Sequence, residues 1–143
     1  MQVKNIRHVG VVTDSIEKSL GFYCDILGFV KSKQVKESGE ALSTMLGLNQ
    51  CIVNTCKIST PNGDAKLELL EFESPIAQAS NEVSVNSLNL THFAITVESV
   101  NEVFLKVQDL KLSYISAPVK TDGGAKVFFL RDVNNVLIEV VEE

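Results

Sequence analysis

Apolar and polar positions repeat along this chain with two periods. Short runs that alternate, or stay apolar for a few residues, fall at Ile6–Val12, Phe29–Lys36, Ile52–Ile58 and Ala65–Phe72, and again at Leu90–Val97, Leu112–Ser116, Lys126–Leu130 and Val136–Val141. Runs of that length and pattern predict strands. The other period is helical. Ile16, Leu20, Tyr23 and Ile26/Leu27 share one face, as do Val100, Val103/Phe104, Val107 and Leu110. Asp14 or Ser15 stands ready to cap the first helix, with Glu17 three residues after Asp14. Ser99 and Glu102 have capping-box spacing before the second, and Gly28 is placed to end the first.

Both halves therefore read strand, helix, then three strands, and they also match residue by residue. The stretch NIRHVGVVTDS (Asn5–Ser15) lies over NLTHFAITVES (Asn89–Ser99), with His8 and His92 separated by 84 positions. The closing strands KLELLEFE (Lys66–Glu73) and LIEVVEE (Leu137–Glu143) align Glu68 with Glu139, which are 71 apart. The smaller offset places extra residues in the first half, within 37–50, where GEALSTMLGL reads as a short inserted helix. The prediction is an α+β chain forming one domain over 1–143, made of two tandem βαβββ modules at 5–72 and 89–143. Residues 73–88, with Ser, Asn, Pro and Gln, read as the linker. Pro61-Asn62-Gly63-Asp64 predicts a hairpin turn, and Arg131–Asn135 holds the same place in the second module.

Composition narrows the function. An apolar fraction of 45% is enough for a core. No run approaches the roughly 20 apolar residues of a membrane span, and no basic-then-apolar signal pattern opens the chain. Cys24, Cys51 and Cys56 have neither metal-ligand nor redox spacing and read as thiols of a cytoplasmic protein. A net charge of −5 without a basic cluster speaks against a nucleic-acid partner.

The only two histidines obey the repeat. Strand alternation puts His8 on a face with Ile6, Gly10 and Val12, and His92 on a face with Leu90, Ala94 and Thr96. The bulky faces, Val9/Val11 and Phe93/Ile95/Val97, are those a helix would cover. Small neighbours leave room over each imidazole. Glu139 interrupts the otherwise apolar run Val136–Val141, a costly place for a carboxylate unless it is paired or metal-bound. Taken singly, a strand histidine is more often structural, and Glu68 could be solvated like Glu71, Glu73, Glu142 and Glu143. Taken as matched pairs, His8, Glu68, His92 and Glu139 suit one divalent ion: zinc, cobalt, nickel, iron or manganese.

These residues and motifs resemble the vicinal oxygen chelate superfamily over nearly the whole chain. RHVGVVTDSIEKSLGFYCDILGF is similar to its first module, KLELLEF to its ligand-bearing strand, LTHFAITVESVNEV to the start of its second module and VFFLRDVNNVLIEVVE to its closing hairpin. The resemblance implies a curved sheet around a metal, with His8, Glu68, His92 and Glu139 as ligands, and a homodimer. It implies removal of a proton next to a carbonyl, with Glu139 as the leading base and Glu68 as ligand and second base. The family's closing turn is usually Asp-Pro-x-Gly. Here Val133 follows Asp132 and Asn135 replaces the glycine, a residue that tolerates the left-handed conformation. The lactoylglutathione lyase pattern has an asparagine where Phe72 stands, whereas the ending with Gly123-Gly124 is similar to methylmalonyl-CoA epimerase. The expectation is thus an epimerase acting on an acyl-CoA or other carbonyl compound. A lactoylglutathione lyase-type enzyme is the alternative, and a metal-free binding protein of the resistance type is the alternative of another class. The insert also resembles that of a subgroup containing cyclitol epimerases. Its Leu42, Met45 and Leu46 would close over a pocket or pack on the core; Gly123-Gly124 would form a mobile loop or a plain turn; and Lys120 and Lys126 beside it would meet an anionic substrate. Phe22, Tyr23 and Phe29 are expected in the core.

Overall fold

The structure is a computed structural model that describes residues 2–63, 65–79 and 83–143. Asp64 of the predicted hairpin turn and residues 80–82 of the predicted linker lie outside the described residues, as does Met1. The chain divides into two compact units, Met1–Ala79 and Ser80–Glu143.

In the first unit the order is β1 (Val9–Val12), α1 (Ile16–Leu20), β2 (Val30–Ser38), α2 (Glu40–Leu46), β3 (Ile52–Ser59) and β4 (Lys66–Ser74). The sheet order is β1-β4-β3-β2, with β1 parallel to β4 and the other pairs antiparallel. The second unit repeats this plan with β5 (His92–Thr96), α3 (Val100–Asp109), β6 (Val119–Lys120), β7 (Lys126–Arg131) and β8 (Leu137–Glu142), in sheet order β5-β8-β7-β6. Each unit is therefore a βαβββ module, and the α+β class holds. The repeat extends to single bonds. Thr13 N–H donates to Leu70 O in one unit, and Val97 N–H to Val141 O in the other.

Local chemistry accounts for most elements. Ser15 caps α1 by accepting from Lys18 N–H, and Ser99 caps α3 by accepting from Glu102 N–H. Of the two cap candidates for α1, Ser15 holds the position. Beyond Leu20 the helix widens into a π-helical stretch, Gly21–Ile26, in which Leu27 N–H reaches back to Phe22 O. Phe22 and Tyr23 are both buried there. Tyr23 meets Phe22 and Phe29 edge-on, with ring centroids 5.1 and 5.8 Å away. The chain leaves the helix through Gly28 at φ 78°. The insert folds as α2, as its sequence predicts. Its Leu42 is half-buried, while Met45 and Leu46 face solvent.

In each sheet one face is packed and the other is more open, although Val53, Thr55 and Leu137 on that second face are buried. Leu67 and Leu69 of β4, with Cys56 and Ile58 of β3, belong to the packed side of the first unit. Phe128, Leu130, Ile138 and Val140 do the same in the second, beneath Val100 and Val107 of α3. A fully buried aliphatic or aromatic side chain contributes about 1.5–3 kcal/mol. Cys51 and Cys56 are buried and Cys24 half-buried, all three as free thiols. Among the described residues, no helix is long and apolar enough to cross a membrane.

Two expectations need correction. The first strand of each module is shorter than its apolar pattern. Ile6–Arg7 and Leu90–Thr91 run ahead of β4 and β8, and a strand with no partner beside it has no ladder to join. The ladders begin at Val9↔Leu67 and His92↔Leu137, so His8 stands just before β1, level with Lys66 at the start of β4. Leu112–Ser116 is not a continuous strand. It makes a single bridge, Tyr114↔Leu130, and Pro118, which has no N–H to give, separates it from the short β6. Of the two readings of Gly123-Gly124, the structure has the turn: it joins β6 and β7, closed by Gly124 N–H to Thr121 O at 3.0 Å. Lys126, beside that turn, pairs with Glu142 at 3.2 Å.

Candidate metal centre

The open face of each sheet carries one imidazole and one carboxylate. In the first unit Gly10 and Glu68 are Cα partners across the parallel β1–β4 ladder, so they share a face, and His8 lies two residues before Gly10. His8 Nε2 stands 3.1 Å from Glu68 Oε2. In the second unit Ala94 and Glu139 are the corresponding partners across β5–β8, and His92 Nε2 stands 3.5 Å from Glu139 Oε2. All four side chains are partly solvent-accessible. Glycine and alanine keep the strand beside each carboxylate low. A Cβ on Gly10 would come 3.3 Å from Leu70 Cδ1, so that space is already narrow.

The surroundings of the pairs differ. Thr91 Oγ1 lies 2.8 Å from His92 Nδ1. With Nδ1–H donated to that hydroxyl, the Nε2 lone pair points towards Glu139, the arrangement that orients a ligating histidine. Phe129, the cross-strand partner of Glu139, meets the His92 ring edge-on at a centroid distance of 5.2 Å. In the first unit the partner of Glu68 is Lys57, whose Nζ lies 3.5 Å from Glu68 Oε1. Lys57, Thr91 and Phe129 were not singled out by the sequence reading. They are cross-strand or adjacent neighbours, and no local spacing marks them.

Two glutamates of the same strands, Glu71 and Glu142, bind helix starts rather than solvent alone. Glu71 Oε2 accepts from Ile16 N–H at 2.8 Å, and Glu142 Oε2 accepts from Val100 N–H at 2.8 Å. Each lies three residues after a pair glutamate, on the packed side, and satisfies the first N–H of its module's helix. That backbone bond, followed by Lys126, holds the Glu142 carboxyl below its ordinary value. Lys36 and Asn54 hold Glu73 low in the same way.

The βαβββ module is repeated, each copy with its histidine–glutamate pair at the same register. Residues 5–140 match the family profile of the Glyoxalase/Bleomycin resistance protein/Dioxygenase superfamily. The chain belongs to that superfamily. Among curated proteins it is 28% identical over 141 residues to human mitochondrial methylmalonyl-CoA epimerase, covering 94% of this chain and 72% of that protein. Among solved structures, a glyoxalase family protein from Bacillus cereus superposes with a TM-score of 0.91 at 22% identity, over 100% of this chain and 96% of that one. The trypanothione-dependent glyoxalase I of Leishmania major superposes with a TM-score of 0.67 at 16% identity, over 99% and 88%. At those identities the structural likenesses speak for the fold.

The donor set fits the divalent ion that members of this superfamily commonly bind. Imidazole nitrogen with carboxylate oxygen suits zinc, cobalt, nickel, iron and manganese. The donors come as two pairs. Among the described residues, no group of three or more His, Cys, Asp and Glu gathers around one point.

Proposed function

We propose that the chain is a metal-dependent isomerase of the epimerase type, acting on an acyl-CoA or other carbonyl compound, with His8, Glu68, His92 and Glu139 as the metal ligands. The observation that carries this reading is the duplicated pair: in each unit an imidazole Nε2 faces a carboxylate oxygen, at 3.1 and 3.5 Å, from the same strand positions. Superfamily membership and the 28% identity to an epimerase support the reaction class. Assembly as a homodimer belongs to the same reading.

A divalent cation held by His8, Glu68, His92 and Glu139 would supply positive charge to the oxygens of the substrate. The chain does the rest. His8 and His92 offer neutral nitrogen donors, and Thr91 and Phe129 hold the His92 ring in one orientation. Gly10 and Ala94 keep the floor of the open faces shallow. A glutamate of the set takes the proton from one face of the carbon and a proton returns on the other. A base placed in this way contributes about 10²–10⁴-fold in rate.

The test has two stages. Protein purified without added metal should carry close to one equivalent of a divalent ion by elemental analysis, and His8→Ala should carry much less. Incubation of acyl-CoA thioesters in deuterated water should then place deuterium next to the carbonyl, and Glu68→Gln or Glu139→Gln should abolish the exchange. Turnover of a glutathione hemithioacetal alone would move the reaction to the glyoxalase I type. A protein isolated empty that binds small molecules without converting them would be the non-catalytic binder.

A further inference from the structure

The two pairs face unlike partners across the sheet. The first sheet carries a row of Cα partners, Gly10, Glu68, Lys57 and Lys33, running from β1 to β2. The second carries Ala94, Glu139 and Phe129 in the equivalent places. Glu68 is thus held between His8 on Oε2 and the Lys57 ammonium on Oε1. Glu139 has His92 at ion-pair distance and an aromatic ring where Lys57 would stand. Among the described residues, no lysine or arginine is paired with Glu139.

We propose that Lys57 is a positioning residue that makes the two carboxylates unequal ligands, so that Glu68 yields its hold on a cation and Glu139 keeps it. This inference rests on the metal reading above. Its physical basis is charge. The Lys57 ammonium competes for the oxygens of Glu68, and it repels a dication bound to the same carboxylate. When Glu68 lets go it still has the Lys57 ammonium as a partner, so its release leaves no carboxylate uncompensated. Glu139 has no ammonium in the corresponding place, where Phe129 stands instead. Of two carboxylates on one metal, the one that lets go is the one free to accept a proton. That reverses the order the family resemblance implies, in which Glu139 is the leading base.

The test is a Zn²⁺ titration against a competing chelator, on folded protein checked by circular dichroism. Lys57→Met should bind Zn²⁺ about tenfold more tightly than wild type, and Lys57→Arg should return to wild-type affinity. Glu139→Gln should lose at least tenfold more affinity than Glu68→Gln. Lys36→Met serves as control. Lys36 is also a lysine of the first sheet, but it pairs with Glu73, outside the row. It should leave the affinity unchanged. Unchanged or weaker binding by Lys57→Met overturns the inference. So does an equal or larger loss in Glu68→Gln than in Glu139→Gln, or a shift in Lys36→Met as large as that in Lys57→Met. A wild-type protein that takes up no Zn²⁺ overturns the metal reading itself, a result separate from all of these.

Discussion

At the scale of single residues, three positions along a strand separate two different kinds of work. Glu68 and Glu139 point to the open faces and meet imidazoles. Glu71 and Glu142 point to the packed faces and cap helices. A change of parity turns a candidate ligand into a scaffold residue. Substitution should separate the roles. Glu71→Ala removes a helix-capping acceptor and should cost about 0.5–2 kcal/mol of stability, read as a lower denaturant midpoint with an unchanged slope, while metal content stays at the wild-type level. Glu68→Gln should do the opposite, lowering metal content with little movement of the midpoint. If both variants moved both quantities together, this division of labour would be wrong.

At the scale of elements, the closing hairpin of the second module shows how a departure from a family pattern is absorbed. Asn135 occupies φ 68°, where the family usually has glycine. Asp132 Oδ1 accepts from Asn134 N–H and Val136 N–H, both at 2.8 Å, and Arg131 donates to Asn135 O. The turn therefore brings β7 and β8 into the register that sets Glu139 opposite Phe129. Asn135→Gly should keep or raise the thermal midpoint. Asn135→Val forces a branched side chain into the left-handed region and should cost about 1–2 kcal/mol; equal midpoints for the two variants would show that the turn is unstrained. In the core of the same module, Ile138 is fully buried, and Ile138→Ala should cost about 2–5 kcal/mol in chemical denaturation.

At the scale of the whole molecule, the acid limb of stability should follow the capping and cross-strand carboxylates. Glu142 and Glu73 are both held below their ordinary value of 4.5, the first mainly by a helix N–H and the second by Lys36 and Asn54. A carboxyl lowered on folding contributes stability that is fully present above its unfolded value. That contribution is lost as the pH falls through the folded value. The thermal midpoint should hold steady from neutral pH down to that ordinary value and fall below it. Glu142→Gln should start lower and lose less over the acid window. A variant as steep as wild type there would assign the acid limb to other groups.

Much of this molecule was legible in its sequence. Repeat offsets identified two modules. Period-two alternation sorted Val11 and Ile95 from Gly10 and Ala94. Serine and glycine marked where helices start and stop, and one asparagine preserved a turn. These features are local, because dihedral preference, capping and alternation act within a few residues. Only the tertiary structure decided which strands end early, since a ladder stops where its partner stops. It also decided that Glu71 and Glu142 reach helix starts, and that Lys57 stands across from Glu68 while Phe129 stands across from Glu139. Those neighbours come together through strand register, which depends on turn geometry and on the fit of a whole face, and neither is written in any short stretch of chain.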